Sequence, residues 1–298
     1  MDALLLLFAC FGLGMVVARV ARPPEGFVRS LNWWVLYIAL PAIVLELIPR
    51  VRFDPQLWFL PVAMWFVFAG AWVVAEMAGR WLGWSRERIG AVILAAGLGN
   101  TAFAGYPLIE MLRGKDGLAL AVVADQLGGA IALATGGVLV ASLYSGGRPQ
   151  PREILRRLFL FPAFIALIFG VAAGLMGGWP SALEKVFARI GATLTPLALF
   201  SIGMQLRLRL ARAQLGAVAV SLGWKMALAP ALVFLAGAAI GMDGPILAVA
   251  VLQAAMAPMV TTAILADQYG LDTEVANMSL GIGIVLSLIL VPLINPLL

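Results

Sequence analysis

The sequence predicts an all-α membrane protein with ten transmembrane helices. They form two inverted five-helix repeats, with helices 4 and 9 broken and crossed. Three observations carry that expectation. The chain of 298 residues is 63% hydrophobic and only 12% charged, about half the charge of a soluble domain, and its mean hydropathy is +1.02. Its apolar residues fall into ten runs bounded by charge or by Pro and Gly, near the roughly 20 residues a helix needs to cross a hydrocarbon core. Landmarks of the first five runs return in order in the last five. The runs are continuously apolar rather than alternating, which excludes a β-barrel.

Run 3–18 begins behind Asp2, where a signal peptide would carry a cationic segment, so it reads as a span. Run 30–49 carries Pro41, and run 57–79 follows. Run 89–112 contains GLGNTAFAGYP (97–107): three glycines, an amide, a hydroxyl and a proline where a helix should be strongest. Run 117–144 carries Asp125 and Gln126. Beyond the polar stretch SGGRPQPREILRR (145–157) come runs 158–178 and 186–205, the second with Pro196. Run 214–240 holds Lys225, run 245–268 holds Pro258, and run 274–297 is the tenth.

Lys and Arg set the expected orientation. Thirteen are counted to one side of the ten runs and six to the other, and Lys225 is the only lysine inside a run. Positive charge favours the cytoplasm, so both termini are expected outside. The pI of 9.9 is read as this bias, with no nucleic-acid partner. The single Cys10 forms no intrachain disulfide. The expected division is a first repeat 1–145, a cytoplasmic linker 146–157 and a second repeat 158–298.

The repeats rest on paired landmarks. Gly12 and Gly170 are 158 apart, Pro41 and Pro196 155, Gly99 and Pro258 159, Asp116 and Asp272 156. Five spans is an odd number, so the second set enters the bilayer from the opposite face. Such inverted repeats are the architecture of secondary transporters. Spans 4 and 9 correspond, and both are interrupted at mid-depth. Proline removes a backbone donor and clashes with the preceding turn. The freed N–H and C=O groups are tolerable only against protein or a wet cavity. Half-helix N-termini carry partial positive charge suited to an anion.

The expected substrate site is therefore Gly99, Asn100 and Thr101 on one break and Pro258, Thr261 and Thr262 on the other. Lys225 has two readings: a counter-charge for a substrate carboxylate, or a side chain snorkelling to the interface. Asp125 and Gln126 lie close to mid-depth, where a carboxylate is expensive and functional; they are the expected ion-coupling pair. Asn277 and Ser279 join them at the repeat-equivalent depth of span 10. Glu46, Glu76 and Glu110 sit near span ends and read as interfacial, as do the tryptophans 33, 34, 58, 81, 84 and 179. Asp267 and Gln268 read chiefly as the end of span 9. Gln205 and Gln253 either line the cavity or bond between helices. Gly170, Gly174 and Gly178 read as close helix packing.

At these residues a family resemblance enters. NTAFAGYPLIEMLRG with GLALAVVADQLG, and QAAMAPMVTTAILADQYGLDTEVANMSLGIGIVLSL, resemble the auxin efflux carrier family, as do YIALPAIVLELI and TPLALFSIGMQL. That family includes bacterial malonate carriers and the plant PIN-formed auxin carriers. The resemblance implies ten spans with both termini outside and a fold similar to bile acid:sodium symporters. One bundle is then scaffold, and the other, holding helices 4 and 9, is the transport domain. It also implies small organic anions as substrates and dimerisation through the scaffold. Asn100 and Thr101 stand where plant members have Pro-Asn-Thr, whose Asn meets the carboxylate. Gly99 replaces that proline, and the long regulatory loop of many plant members is absent.

No histidine occurs, which removes His-based hydrolases and HExxH metalloproteases, and no Walker A motif is present. The expected function is a secondary transporter of a small carboxylate in a bacterial inner membrane. Its only accessory is a coupling ion, H+ or Na+. The alternative is a channel or membrane sensor on the same fold.

Overall fold

The computed structural model describes residues 2–21, 23–51, 54–146, 159–206 and 211–298. Arg22, Arg52, Arg207, Arg209 and the linker from 147 onward, with Arg148, Arg152, Arg156 and Arg157, lie outside the described residues. What is described is helical: α1 Asp2–Val20, α2 Phe27–Arg50, α3 Pro55–Leu82, α4 Arg86–Gly97, α5 Thr101–Tyr144 and α6 Pro162–Leu175. Then come α7 Ser181–Gln205, α8 Arg212–Ala239, α9 Gly244–Ala254, α10 Val260–Gln268 and α11 Thr273–Leu297. Six of them (α2, α3, α5, α7, α8 and α11) are long and apolar enough to cross a membrane. The outward faces carry Leu5, Phe8, Val73, Met77, Ile168 and Phe169 exposed. That much apolar surface belongs in lipid.

The expected turn between spans 4 and 5 is a single residue. Gly114 takes φ 68°, ψ −166° inside α5, a conformation open essentially only to glycine. The expected break in span 4 falls at 98–100, and that in span 9 at 255–259.

The chain forms two compact units that cut across its sequence halves. The first comprises Met1–Phe53, Ala102–Val122 and Phe159–Leu206. In it α1 and α7 meet through glycines. A methyl at Gly14 would lie 2.2 Å from the Phe200 carbonyl oxygen, and one at Gly203 2.1 Å from that of Phe11. Gly170 and Gly174 of α6 pack against Ile48 and Pro49 in the same way. Gly178 does not: it lies beyond α6 with φ 94° and turns the chain out of the helix. Within this unit Glu46 is only 4% exposed and accepts a 2.6 Å bond from the exposed Lys115, the partner a buried carboxylate requires. Glu110 accepts from Thr195 Oγ1 at 3.0 Å.

The second unit comprises Asp54–Thr101, Val123–Leu158 and Arg207–Leu298, and it contains both breaks. Its core packs α4 against α3, α8 and α11. Gly97 leaves room for Phe68, and Gly70 for the Trp224 ring. Trp224 Nε1 donates to the Val67 carbonyl at 3.0 Å. At one end Glu76 accepts from Tyr144 Oη and, at 3.1 Å, from Arg80 Nε.

Candidate functional site

The site grows from the two interruptions in the second unit. At the end of α4, Leu98 swings to φ −107°, ψ 114°. At the end of α9, Pro258 has no amide hydrogen to continue a helix, and Met259 is extended at φ −72°, ψ 139°. The unwound strands then satisfy each other. Asn100 N–H donates to the Ala257 carbonyl at 2.7 Å and Met259 N–H to the Leu98 carbonyl at 2.9 Å. This is an antiparallel bridge between Gly99 and Pro258. Leaving such groups unpaired at membrane depth would cost several kcal/mol each. Two helices therefore end at the bridge (α4 and α9) and two begin beyond it (α5 and α10).

Side chains gather on this bridge. Thr101 Oγ1 lies within bonding range of both the Gly99 carbonyl, at 3.3 Å, and Asp125 Oδ1. One hydroxyl proton serves only one of the two acceptors at a time. Asp125 Oδ2 accepts from Gln126 Nε2 at 2.8 Å, and Gln253 Nε2 donates to the Thr101 carbonyl at 3.4 Å. Gly129 keeps space here, since a methyl on it would meet Thr101 Oγ1 at 3.2 Å. All these polar groups are buried. Asn100 Nδ2 and Gln126 Oε1 are buried with no hydrogen-bond partner in the structure.

Lys225 does not snorkel. It is 1% exposed, and a methyl on Gly99 would sit 2.8 Å from its Nζ and 3.2 Å from its Cε. No ion pair among the described residues includes it. The glycine at 99 is accordingly a matter of room rather than of backbone conformation, as its φ is not positive. Ser221, one turn earlier on α8, is buried with an unpartnered hydroxyl. It escaped the sequence reading although its i, i+4 spacing from Lys225 was a usable signal.

Three of the five π turns among the described residues fall at these positions: Thr101–Gly105, Asp125–Gly129 and Trp224–Leu228, the others being Val35–Ala39 and Leu133–Gly137. A π turn widens a helix by one residue and is frequent at functional sites. Each of the three at the site begins at, or one residue before, a polar site residue.

The structure thus brings together Gly99, Asn100, Thr101, Asp125, Gln126, Pro258 and Lys225. The other candidates fall elsewhere. Thr262 Oγ1 donates to the Met259 carbonyl at 2.6 Å, a local bond in the first turn of α10. Thr261 is half-buried and makes no side-chain bond among the described residues. Asn277 is exposed and bonds back to the Thr273 carbonyl at 2.9 Å, so the structure does not join it to Asp125. Ser279 is fully buried with an unpartnered hydroxyl. It lies one turn before Gly283, against which Pro258 packs. Asp267 and Gln268 are exposed at the end of α10.

The family described as membrane transport protein matches residues 1–295. An uncharacterized transporter of Methanocaldococcus jannaschii is 27% identical over 98% of this chain and 97% of its own. A Rhizobium meliloti protein named "Putative malonate transporter" is 24% identical over 94% of this chain and 90% of its own. A rice protein named "Probable auxin efflux carrier component 5a" is 28% identical over 49% of this chain and 41% of its own. With a near-complete family match added to paired, interrupted membrane helices, the chain belongs to the membrane transport protein family, the auxin efflux carriers.

Proposed function

We propose that this transporter moves a small organic anion, a carboxylate of the malonate or auxin kind, by alternating access, with its site at the bridge. The observation that carries this reading is the Asn100 amide. Asn100 stands in the chain between the bridge and the start of α5, and its Nδ2 is buried and unpartnered. A buried donor without a partner is costly, and a carboxylate oxygen would satisfy it. The N-termini of α5 and α10 add partial positive charge, and Lys225 adds a full one when protonated. Asp125 with Gln126 carries the coupling ion, a proton or sodium. The reading includes ten spans as inverted repeats, in a bacterial inner membrane with both termini outside. Each compact unit drawing on both sequence halves supports the repeats alone.

The test is counterflow in proteoliposomes with a panel of mono- and dicarboxylates. Loss of a hydrogen bond to a charged group is worth about 1.5–3 kcal/mol, so Asn100→Ala should weaken apparent affinity roughly ten- to hundredfold. Wild-type affinity and rate in Asn100→Ala would overturn the site. Flux that rises linearly with gradient and never saturates would replace the carrier with a channel.

A further inference from the structure

The bridge separates charge. The N-terminal ends of α5 and α10 face it with partial positive charge, and the C-terminal ends of α4 and α9 face it with partial negative charge. In transporters with broken helices, the C-terminal ends and unwound carbonyls are where a coupling cation is held. Lys225 occupies that end. A methyl at Gly99 would touch Lys225 Nζ at 2.8 Å and the Gln253 carbonyl oxygen at 3.6 Å. Nζ therefore shares one small space with the unwound strand after α4 and the last turn of α9. No carboxylate among the described residues forms an ion pair with it.

We propose that the Lys225 ammonium is the resident cation of the crossing. It stands where a free sodium ion would otherwise sit, so anion transport needs no sodium. This rests on the crossing being the transport site, and it decides the role of sodium there. An ammonium is compact and carries three donors, matching carbonyl oxygens as a small alkali cation does. Tethering it removes the entropy of capturing a free ion. The anion then meets a charge already in place. Gly99 is part of the device, because any larger residue displaces the ammonium.

The experiment pairs two variants. Lys225→Ala opens the space, whereas Lys225→Met fills it without charge. Purified protein is melted in NaCl, choline chloride and methylammonium chloride. Wild type should melt alike in all three. Lys225→Ala should gain about 5 °C in sodium or methylammonium over choline, and Lys225→Met should gain nothing. In proteoliposomes with the best carboxylate of the panel, Lys225→Ala should lose at least tenfold in rate in choline and recover part of it in sodium or methylammonium.

A wild type that is stabilised or accelerated by sodium overturns the inference. So does Lys225→Ala that transports at the wild-type rate in choline, or melts alike in all three salts. The melting arm involves no anion, so it stands apart from the proposed function, which falls instead if wild type exchanges no carboxylate at all.

Discussion

Thr101 shows how much one hydroxyl carries. Its proton has two acceptors in reach, the Gly99 carbonyl and Asp125, while Gln126 supports the far carboxylate oxygen. When Asp125 is ionised, the hydroxyl points to it. When Asp125 is protonated, the acid donates to the hydroxyl and frees its proton for Gly99 O. Thr101→Val keeps the shape but removes a buried hydrogen bond to Asp125, a loss of about 1–3 kcal/mol. The expected outcome is a melting temperature several degrees lower, with Thr101→Ser near wild type. Equal melting of Val and Ser variants would remove Thr101 from this network. At this scale Asn100, Thr101, Asp125 and Lys225 were legible in the sequence, because polar residues stand out in an apolar run. The reason for Gly99 was not. Only the position of Lys225 Nζ, 126 residues away in sequence, shows that a side chain there has no room.

At the scale of elements, seven of the ten runs match single described helices to within about five residues, while runs 89–112 and 245–268 are each split by a break and run 117–144 is the later part of α5. Both interruptions fell where glycine and proline placed them. The π turns were not legible, since an i→i+5 bond leaves no fixed residue signature. The pairing of Glu46 with Lys115, 69 residues apart, also escaped, as it needs the two segments side by side. The glycine contacts of α1 with α7 give a sharp prediction. Gly203→Val drives a methyl into the Phe11 carbonyl, with an approach of 2.1 Å at Cβ alone. Overpacking of this kind costs about 1–3 kcal/mol or more. Gly12→Ala meets nothing within 4 Å and should be neutral or slightly stabilising. Thermal melts of the two variants should therefore move apart; a Gly203→Val protein as stable as wild type would contradict the close packing.

For the whole molecule, the paired landmarks indicated that the sequence halves echo each other, but not how they interleave. One unit takes the first two helices of each half together with Ala102–Val122 of α5, and the other takes the rest. The bridge itself is made by residues from both halves, Gly99 and Pro258. Fragments 1–150 and 151–298 expressed together should therefore recover counterflow, whereas neither alone should show any. Activity in a single fragment would mean that the bridge is dispensable.

The bridge also has a consequence for biosynthesis. While the ribosome is still making the second half, the peptide groups around Leu98 and Asn100 have no mate, and none emerges until Met259 has left the exit tunnel. For most of translation the nascent chain must hold a bare stretch of main chain near the lipid. The insertion machinery, or water drawn into the membrane, has to shelter it until the last helices arrive.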